Sequence, residues 1–331
     1  MALPTKVLVI TGATSGIGLS FLHRILLEVR LQFLIRVCIL CRNMRKGEYV
    51  RSTLLASHKS AEIELVNMDT GDLKSVLEGV NIIKEKYKKI DFLYLNAGIL
   101  PVKKLHISGL FSRNVIARLK TGENIIESAN PLNESGIPLV FATNVLGHFV
   151  LVQELLPLLR SDGQEKSKIV WTASNNAVKS SFNMDDFMCN HGNMSYGSSK
   201  YIINALSIAM NQRYNREGIY SHLAEPGLCI TAMSENILPL WLWKIVEFLF
   251  MLFRLVAHHL TLSTYNGSES LIWLFKQDPR NLEKNYQYES AVNIFNQRYV
   301  SNVEIDISPT EAETIFQKMV TTTEEIRAEA G

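Results

Sequence analysis

Cysteine is scarce in this chain, with four among 331 residues, at Cys38, Cys41, Cys189 and Cys229. They are too few and too scattered for a disulfide scaffold. Cys38-Ile39-Leu40-Cys41 has Cys-x-x-Cys spacing, but it lies in the apolar run 33–41. Residues three apart on a strand point to opposite faces, so two small buried hydrophobes are expected rather than a metal site. An excess of charge is lacking too. Thirty-four Lys and Arg against 32 Asp and Glu leave a net charge of +2, and nothing calls for nucleic acid. No basic stretch, apolar stretch and small-residue cleavage site follow Met1, so a cleaved secretory signal is not expected. Internal repeats, a nucleophile elbow and a Ser-His-Asp order are all absent. His258-His259 has no third ligand at metal spacing, and His148, four residues after Asn144, reads as packing.

What is present is an alternation. Apolar strands at 6–10, 33–41, 63–68 and 91–95 are separated by helical spacing at 16–29, 45–57 and 73–87. The strands are near-continuous apolar runs, as when helices cover both faces of a sheet. The pattern predicts an α/β fold with a Rossmann-like, doubly wound parallel sheet in a single domain with insertions. Residues 101–135 carry turn-formers and no clear strand, and they read as an insertion. A helix at 141–159, a strand at 168–172, a helix from Tyr196 to about Tyr214 and a strand at 219–224 follow. The organisation is thus 1–235 as a nucleotide-binding domain, 236–262 as an apolar segment and 263–331 as a helical completion of the domain. Ser308-Pro309-Thr310-Glu311 is a capping box opening an exposed last helix.

Residues 237–257 are the most apolar stretch, long enough to span a bilayer yet holding Lys244, Glu247 and Arg254 near one helical face. With Trp241 and Trp243 beside them, an amphipathic helix lying in a membrane interface explains this better than a full span, a buried lid being the other reading.

Three clusters carry chemistry. Gly12-x-x-x-Gly16-x-Gly18 follows a strand and opens a helix, where phosphate must approach main-chain N–H groups. The second strand ends in Arg42, with Arg45 and Lys46 behind it and no acid until Glu48, which favours NADP(H) over NAD(H). Asp69, after the third strand, is placed to accept from an adenine amino group or to cap the next helix. Tyr196 and Lys200 are one helical turn apart, so the ammonium can sit beside the phenol and draw its pKa toward neutrality.

The order Thr11-Gly12-x-x-x-Gly16-x-Gly18, Asn96-Ala97-Gly98, Asn144, Ser174, Tyr196-x-x-x-Lys200 and Pro226-Gly227-x-x-x-Thr231 resembles the short-chain dehydrogenase/reductase family over about residues 5–235. Cys41-Arg42-Asn43-Met44, Gly109-Leu110-Phe111-Ser112-Arg113 and Thr264-Tyr265-Asn266-Gly267 extend the likeness, toward members that reduce sterol ketones, over nearly the whole chain. The resemblance implies Tyr196 as proton donor, Lys200 beside it, Ser174 on the carbonyl oxygen and Asn144 in a water-linked relay. It implies cofactor contacts from Gly12, Ser15, Gly16, Ile17, Gly18, Arg42, Asp69, Asn96, Ala97, Gly98, Tyr196, Lys200 and Thr231. Ser174, Tyr196 and Asn183 would meet the substrate. Two departures stand out: Leu95 replaces a usual asparagine, and the interval from Ser174 to Tyr196 is longer than the family's.

The activity so implied is NADPH-dependent reduction of a 3-keto sterol to the 3-beta-hydroxy sterol in sterol biosynthesis, with 17-ketosteroid reduction (estrone to estradiol) beside it. The place implied is the cytosolic face of the endoplasmic reticulum membrane. Partners would be other enzymes of sterol C-4 demethylation and a second copy of the chain. Open alternatives are reduction of another lipophilic carbonyl such as retinal, or a catalytically vestigial nucleotide-binding scaffold in a membrane sterol complex.

Overall fold

The computed structural model describes residues 4–28, 33–59, 61–105, 126–160, 166–192, 194–229, 258 and 260–330. Thr231, the stretch 237–257 and the middle of the 101–135 insertion lie outside the described residues. The first half follows the predicted alternation: β1 (Thr5–Thr11), α1 (Gly16–Glu28), β2 (Leu34–Cys41), α2 (Met44–Ser57), β3 (Glu62–Asn67), α3 (Leu73–Lys86) and β4 (Phe92–Leu95). β7 (Ser167–Thr172) and β8 (Ile219–Glu225) continue the sheet, with α4 (Leu139–Leu159) before β7 and α5 (Ser195–Tyr214) between them.

With β9 (Tyr286–Val292) and β10 (Arg298–Glu304), the main sheet among the described residues runs β10-β9-β8-β7-β4-β1-β2-β3. Every neighbouring pair is parallel except β9 with β10. Strand order reverses between β1 and β4, and it is at the carboxyl ends of the strands at such a point that doubly wound sheets bind ligands. Alternation along each strand sorts the core into two layers. Leu8 and Ile10 pack with Phe21, Leu22 and Phe275 on one face, while Val9, Leu93 and Trp171 pack with Val150 and Ile202 on the other. Each fully buried side chain of this kind contributes about 1.5–3 kcal/mol. Cys38 and Cys41 are free thiols that fall on opposite faces, each in a different core layer.

The structure departs from the sequence reading in four places. First, 101–135 contains two strands, β5 (Val102–Leu105) and β6 (Ile126–Ser128), paired antiparallel as a separate small sheet. Second, α4 is not uniform: its Ala142–Leu146 turn is a π-helix. α4 is also the one helix among the described residues long and apolar enough to cross a membrane, and 83% of its apolar window is buried in the fold. Third, 263–331 is not only helical. After α6 (Glu269–Lys276) it adds β9 (Tyr286–Val292) and β10 (Arg298–Glu304) to the sheet. β9 has no apolar run because buried Gln287, Glu289 and Ser290 interrupt it. Their polar atoms are satisfied internally: the Ser290 hydroxyl donates to the Gly267 carbonyl at 2.9 Å, and Gln287 donates to Glu289 at 3.3 Å.

The fourth departure is α7 (Pro309–Ala330), which is not a loose exposed helix. The Ser308 hydroxyl caps it, accepting from Glu311 N at 3.1 Å. The Glu311 side chain does not return to the cap but accepts from Tyr201 of α5 at 2.8 Å. Ile315, Phe316 and Met319 are buried, Phe316 edge-on to Phe149 of α4. α7 therefore buttresses the helix that carries Tyr196.

Candidate active site

The end of β1 and the start of α1 are shaped by backbone. Gly12 has φ +67°, and a Cβ there would stand 2.6 Å from the Ala97 Cα. A Cβ on Gly18 would stand 2.6 Å from both the Asn96 amide and the Gly12 carbonyl. Only glycine fits either position, and Gly16, which opens α1, is also at positive φ. Asn96 clamps the turn, donating from Nδ2 to the Gly12 carbonyl at 2.9 Å and accepting from the Thr172 hydroxyl at 3.2 Å. The Thr11 hydroxyl accepts from the Asn96 and Ala97 N–H groups at 2.9 and 3.0 Å. This cradle fits a nicotinamide dinucleotide, whose phosphates need a backbone turn that only glycine can make, leading into the N–H groups of a helix start.

α5 places Tyr196 and Lys200 on one face, with the Lys200 ammonium 5.5 Å from the centre of the Tyr196 ring and donating to the Thr172 carbonyl at 2.7 Å. Burial pushes the Tyr196 phenol up to about 12; the Ser174 hydroxyl bonded to it draws it down, and the Glu225 carboxylate adds to the rise. Burial lowers Lys200 to about 8, against the pull of Glu225. The sequence argument expected the ammonium to lower the phenol's pKa. The ammonium lies over the ring face instead, and among the described residues no cation offsets the burial of the hydroxyl. At neutral pH the phenol keeps its proton, the state a proton donor needs, while Lys200 stays mostly charged.

Asn144 sits in the π-turn of α4, where the widened helix lets its side chain reach sideways. Its Oδ1 accepts from Ile99 N at 2.9 Å, and its Nδ2 donates to the Ile99 carbonyl at 3.2 Å and the Ser199 hydroxyl at 3.1 Å. Ser199 in turn donates to the Tyr196 carbonyl at 2.7 Å. A Cβ on Gly98 would lie 4.0 Å from the Lys200 ammonium, so the Asn96-Ala97-Gly98 turn borders the same cavity. Ser174 lies two residues beyond β7, its hydroxyl accepting from Asn176 N at 3.2 Å.

The structure thus converges Gly12, Gly16, Gly18, Asn96, Ala97, Gly98, Asn144, Ser174, Tyr196 and Lys200 at one end of the sheet. Ser15 and Ile17 lie in the same turn, the Ser15 carbonyl accepting from Leu19 N at 3.2 Å. Arg42 follows β2 with its side chain 73% exposed and 3.9 Å from Asp69, too far and too solvated to be a committed ion pair. Asp69 accepts from Gly71 N, and it is Asp72 that caps α3. Asn183 is exposed, its Oδ1 accepting from Asp185 N at 3.0 Å within its own loop, so it is not brought into the cluster. Sequence reasoning missed Glu225, a buried carboxylate at the end of β8 that accepts from Gly227 N at 2.7 Å and bears on both Tyr196 and Lys200. Its signal was an acid ending an apolar strand just before Pro226-Gly227.

This fold and this site define an oxidoreductase of the carbonyl/alcohol type. The family model described as short chain dehydrogenase matches residues 6–239, and the chain belongs to that family, whose members work with a nicotinamide cofactor. The chain is 40% identical over 326 residues to the Homo sapiens protein named 3-keto-steroid reductase/17-beta-hydroxysteroid dehydrogenase 7, covering 97% of this chain and 94% of that one. It is 29% identical to the 3-keto-steroid reductase of Schizosaccharomyces pombe, covering 95% of each. Among solved structures, levodione reductase superposes with a TM-score of 0.60 at 19% identity, over 84% of this chain and 93% of that one, a likeness of fold.

Proposed function

We propose that this protein reduces the 3-keto group of a sterol to the 3-beta alcohol with NADPH, with 17-ketosteroid reduction as a second activity of the same site. The observation that carries this reading is the extent of the likeness. The proteins named 3-keto-steroid reductase match nearly end to end, well past the family region, through α6, β9, β10 and α7.

NADPH supplies the hydride. The chain's own residues do the rest. The Tyr196 hydroxyl gives its proton to the ketone oxygen, and the Ser174 hydroxyl, which draws the phenol's pKa down and now donates to Asn176 Oδ1 at 3.3 Å, turns to donate to the same oxygen and orient it. Lys200, an ammonium below about 8, stabilises the phenolate left behind and would hold the cofactor ribose. Asn144 holds the Ile99 carbonyl, from which a water-linked relay passing Lys200 would return a proton to the Tyr196 phenolate. Gly12, Ser15, Gly16, Ile17 and Gly18 would hold the pyrophosphate, Asn96, Ala97 and Gly98 would hold the cofactor further along the same crevice, and Asp69 would accept from the adenine. Arg42, free to turn at the end of β2 with no acid on that strand end, favours the 2′-phosphate of NADPH.

We read 1–235 as the catalytic domain, 236–262 as its membrane-contact segment and 263–331 as the part that closes the sheet. The chain on either side of the apolar stretch is tied together, Leu262 N donating to the Leu228 carbonyl at 2.9 Å and Cys229 bridging to Leu262. A stretch whose two flanks meet returns to the side it left. This supports contact with one membrane face, the cytosolic face of the endoplasmic reticulum in this reading, where a sterol ketone dissolved in the bilayer is within reach. Purified protein assayed with NADPH and with NADH against 3-keto sterols, 17-ketosteroids and retinal tests the proposal. It expects turnover of the 3-keto sterol with NADPH foremost, and it fails if none of the steroid ketones is reduced.

A further inference from the structure

We propose that His148 is a positioning residue that couples the cofactor turn to the proton-relay asparagine through a neutral imidazole of one fixed tautomer. Its ring is buried, 1% exposed, and bonded at both nitrogens. Nε2 lies 2.9 Å from the Thr11 hydroxyl, and Nδ1 lies 3.1 Å from the Asn144 carbonyl. Counting hydrogens assigns the tautomer. A threonine hydroxyl has one hydrogen and two lone pairs. Both lone pairs of Thr11 are taken by Asn96 N and Ala97 N, so its hydrogen points at Nε2, which accepts. A carbonyl cannot donate, so Nδ1 carries the hydrogen and gives it to Asn144. Burial, assisted by the nearby Lys200 ammonium and opposed by the Asn144 bond, lowers the ring to about 4 and keeps it neutral at physiological pH.

The result is a continuous chain of directed hydrogen bonds. It runs from the Asn96-Ala97 turn through Thr11, His148 and Asn144 to Ser199 and the main chain of Tyr196. The Trp171 ring, edge-on at 6.1 Å, holds the imidazole plane. Two parts of the site that arise far apart in sequence, the cofactor turn and the α4 relay, are thereby held in one register. A protonated ring would present a hydrogen to Thr11, whose lone pairs are already filled, and the link would break.

This inference rests on the reductase reading for its rate measurement but not for its other two. Nitrogen-15 NMR of the cofactor-free protein at pH 7 is expected to find the His148 ring neutral with its hydrogen on Nδ1. His148→Leu is expected to weaken NADPH binding and lower kcat, each by about 10-fold or more, as loss of a residue that orients site groups does elsewhere. His148→Gln, whose side-chain oxygen can accept from Thr11, is expected to recover most of the cofactor affinity. An Nε2–H tautomer overturns the proposal. So does a folded fraction of His148→Leu, or of His148→Gln if the leucine variant does not fold, with wild-type NADPH affinity and kcat and only a lowered Tm. The tautomer and the NADPH affinity need no ketone, so a failure to reduce 3-keto steroids would leave this test standing.

Discussion

The two halves of the site are held by different means. On the cofactor side, main-chain atoms do the shaping: Gly12 and Gly18 have no room for a Cβ, and Asn96 and Thr11 bond almost entirely to backbone. On the rim, the loop between Ser174 and α5 is tied to itself by side chains, Asn183 accepting from Asp185 N and Asp186 from Asn190 N and His191 N. Backbone constraint leaves few residues that fit, whereas a rim of side-chain turns can be rebuilt many ways around a different ketone. The cofactor side is therefore the rigid part of the account and the rim the adjustable part.

That contrast can be broken or sharpened by substitution. The largest effect is expected from Gly12→Val, which forces a β-branched residue to positive φ against the Ala97 backbone. It should cost about 3 kcal/mol of stability and abolish NADPH binding, read by chemical denaturation and by cofactor fluorescence. Next comes pH. Lys200 is an ammonium below its pKa of about 8 and loses that charge above it, while Tyr196, at about 12, stays a proton donor throughout. The kcat/KM for ketone reduction should be flat below pH 7 and fall about 10-fold per unit once well above 8. Arg42→Ala should lower the preference for NADPH over NADH by about 10- to 100-fold, because hydrogen bonds to a charged group are worth about 1.5–3 kcal/mol. The smallest effect is expected from Asn183→Ala on the exposed loop, which should leave kcat and KM within about 2-fold of wild type. A large effect there would move substrate recognition onto a residue that the structure leaves outside the cluster.

The same contrast decides what could be read from the sequence. β1 to β4, β7 and β8 announce themselves because they are near-continuous apolar runs, and the glycine turn because only one residue type fits it. β9 was hidden because Gln287, Glu289 and Ser290 are polar and buried, Ser290 partnered by α6 and the turn before it and Gln287 by Asn175 and Glu289. The π-turn that aims Asn144 has no period of its own in five residues. His148 looked like packing because the residue that defines its chemistry, Thr11, is 137 positions away. Local patterns showed where the chain turns and which face is buried. Long-range hydrogen bonds decided which polar residues act together.

The central claim is that the Tyr196 phenol, kept protonated by burial, hands its proton to a ketone oxygen in a site whose cofactor cradle is independent of it. Tyr196→Phe removes the hydroxyl and nothing else. The account predicts a fall in kcat of about 1000-fold for a 3-keto steroid with NADPH affinity unchanged; turnover within a few-fold of wild type would contradict it.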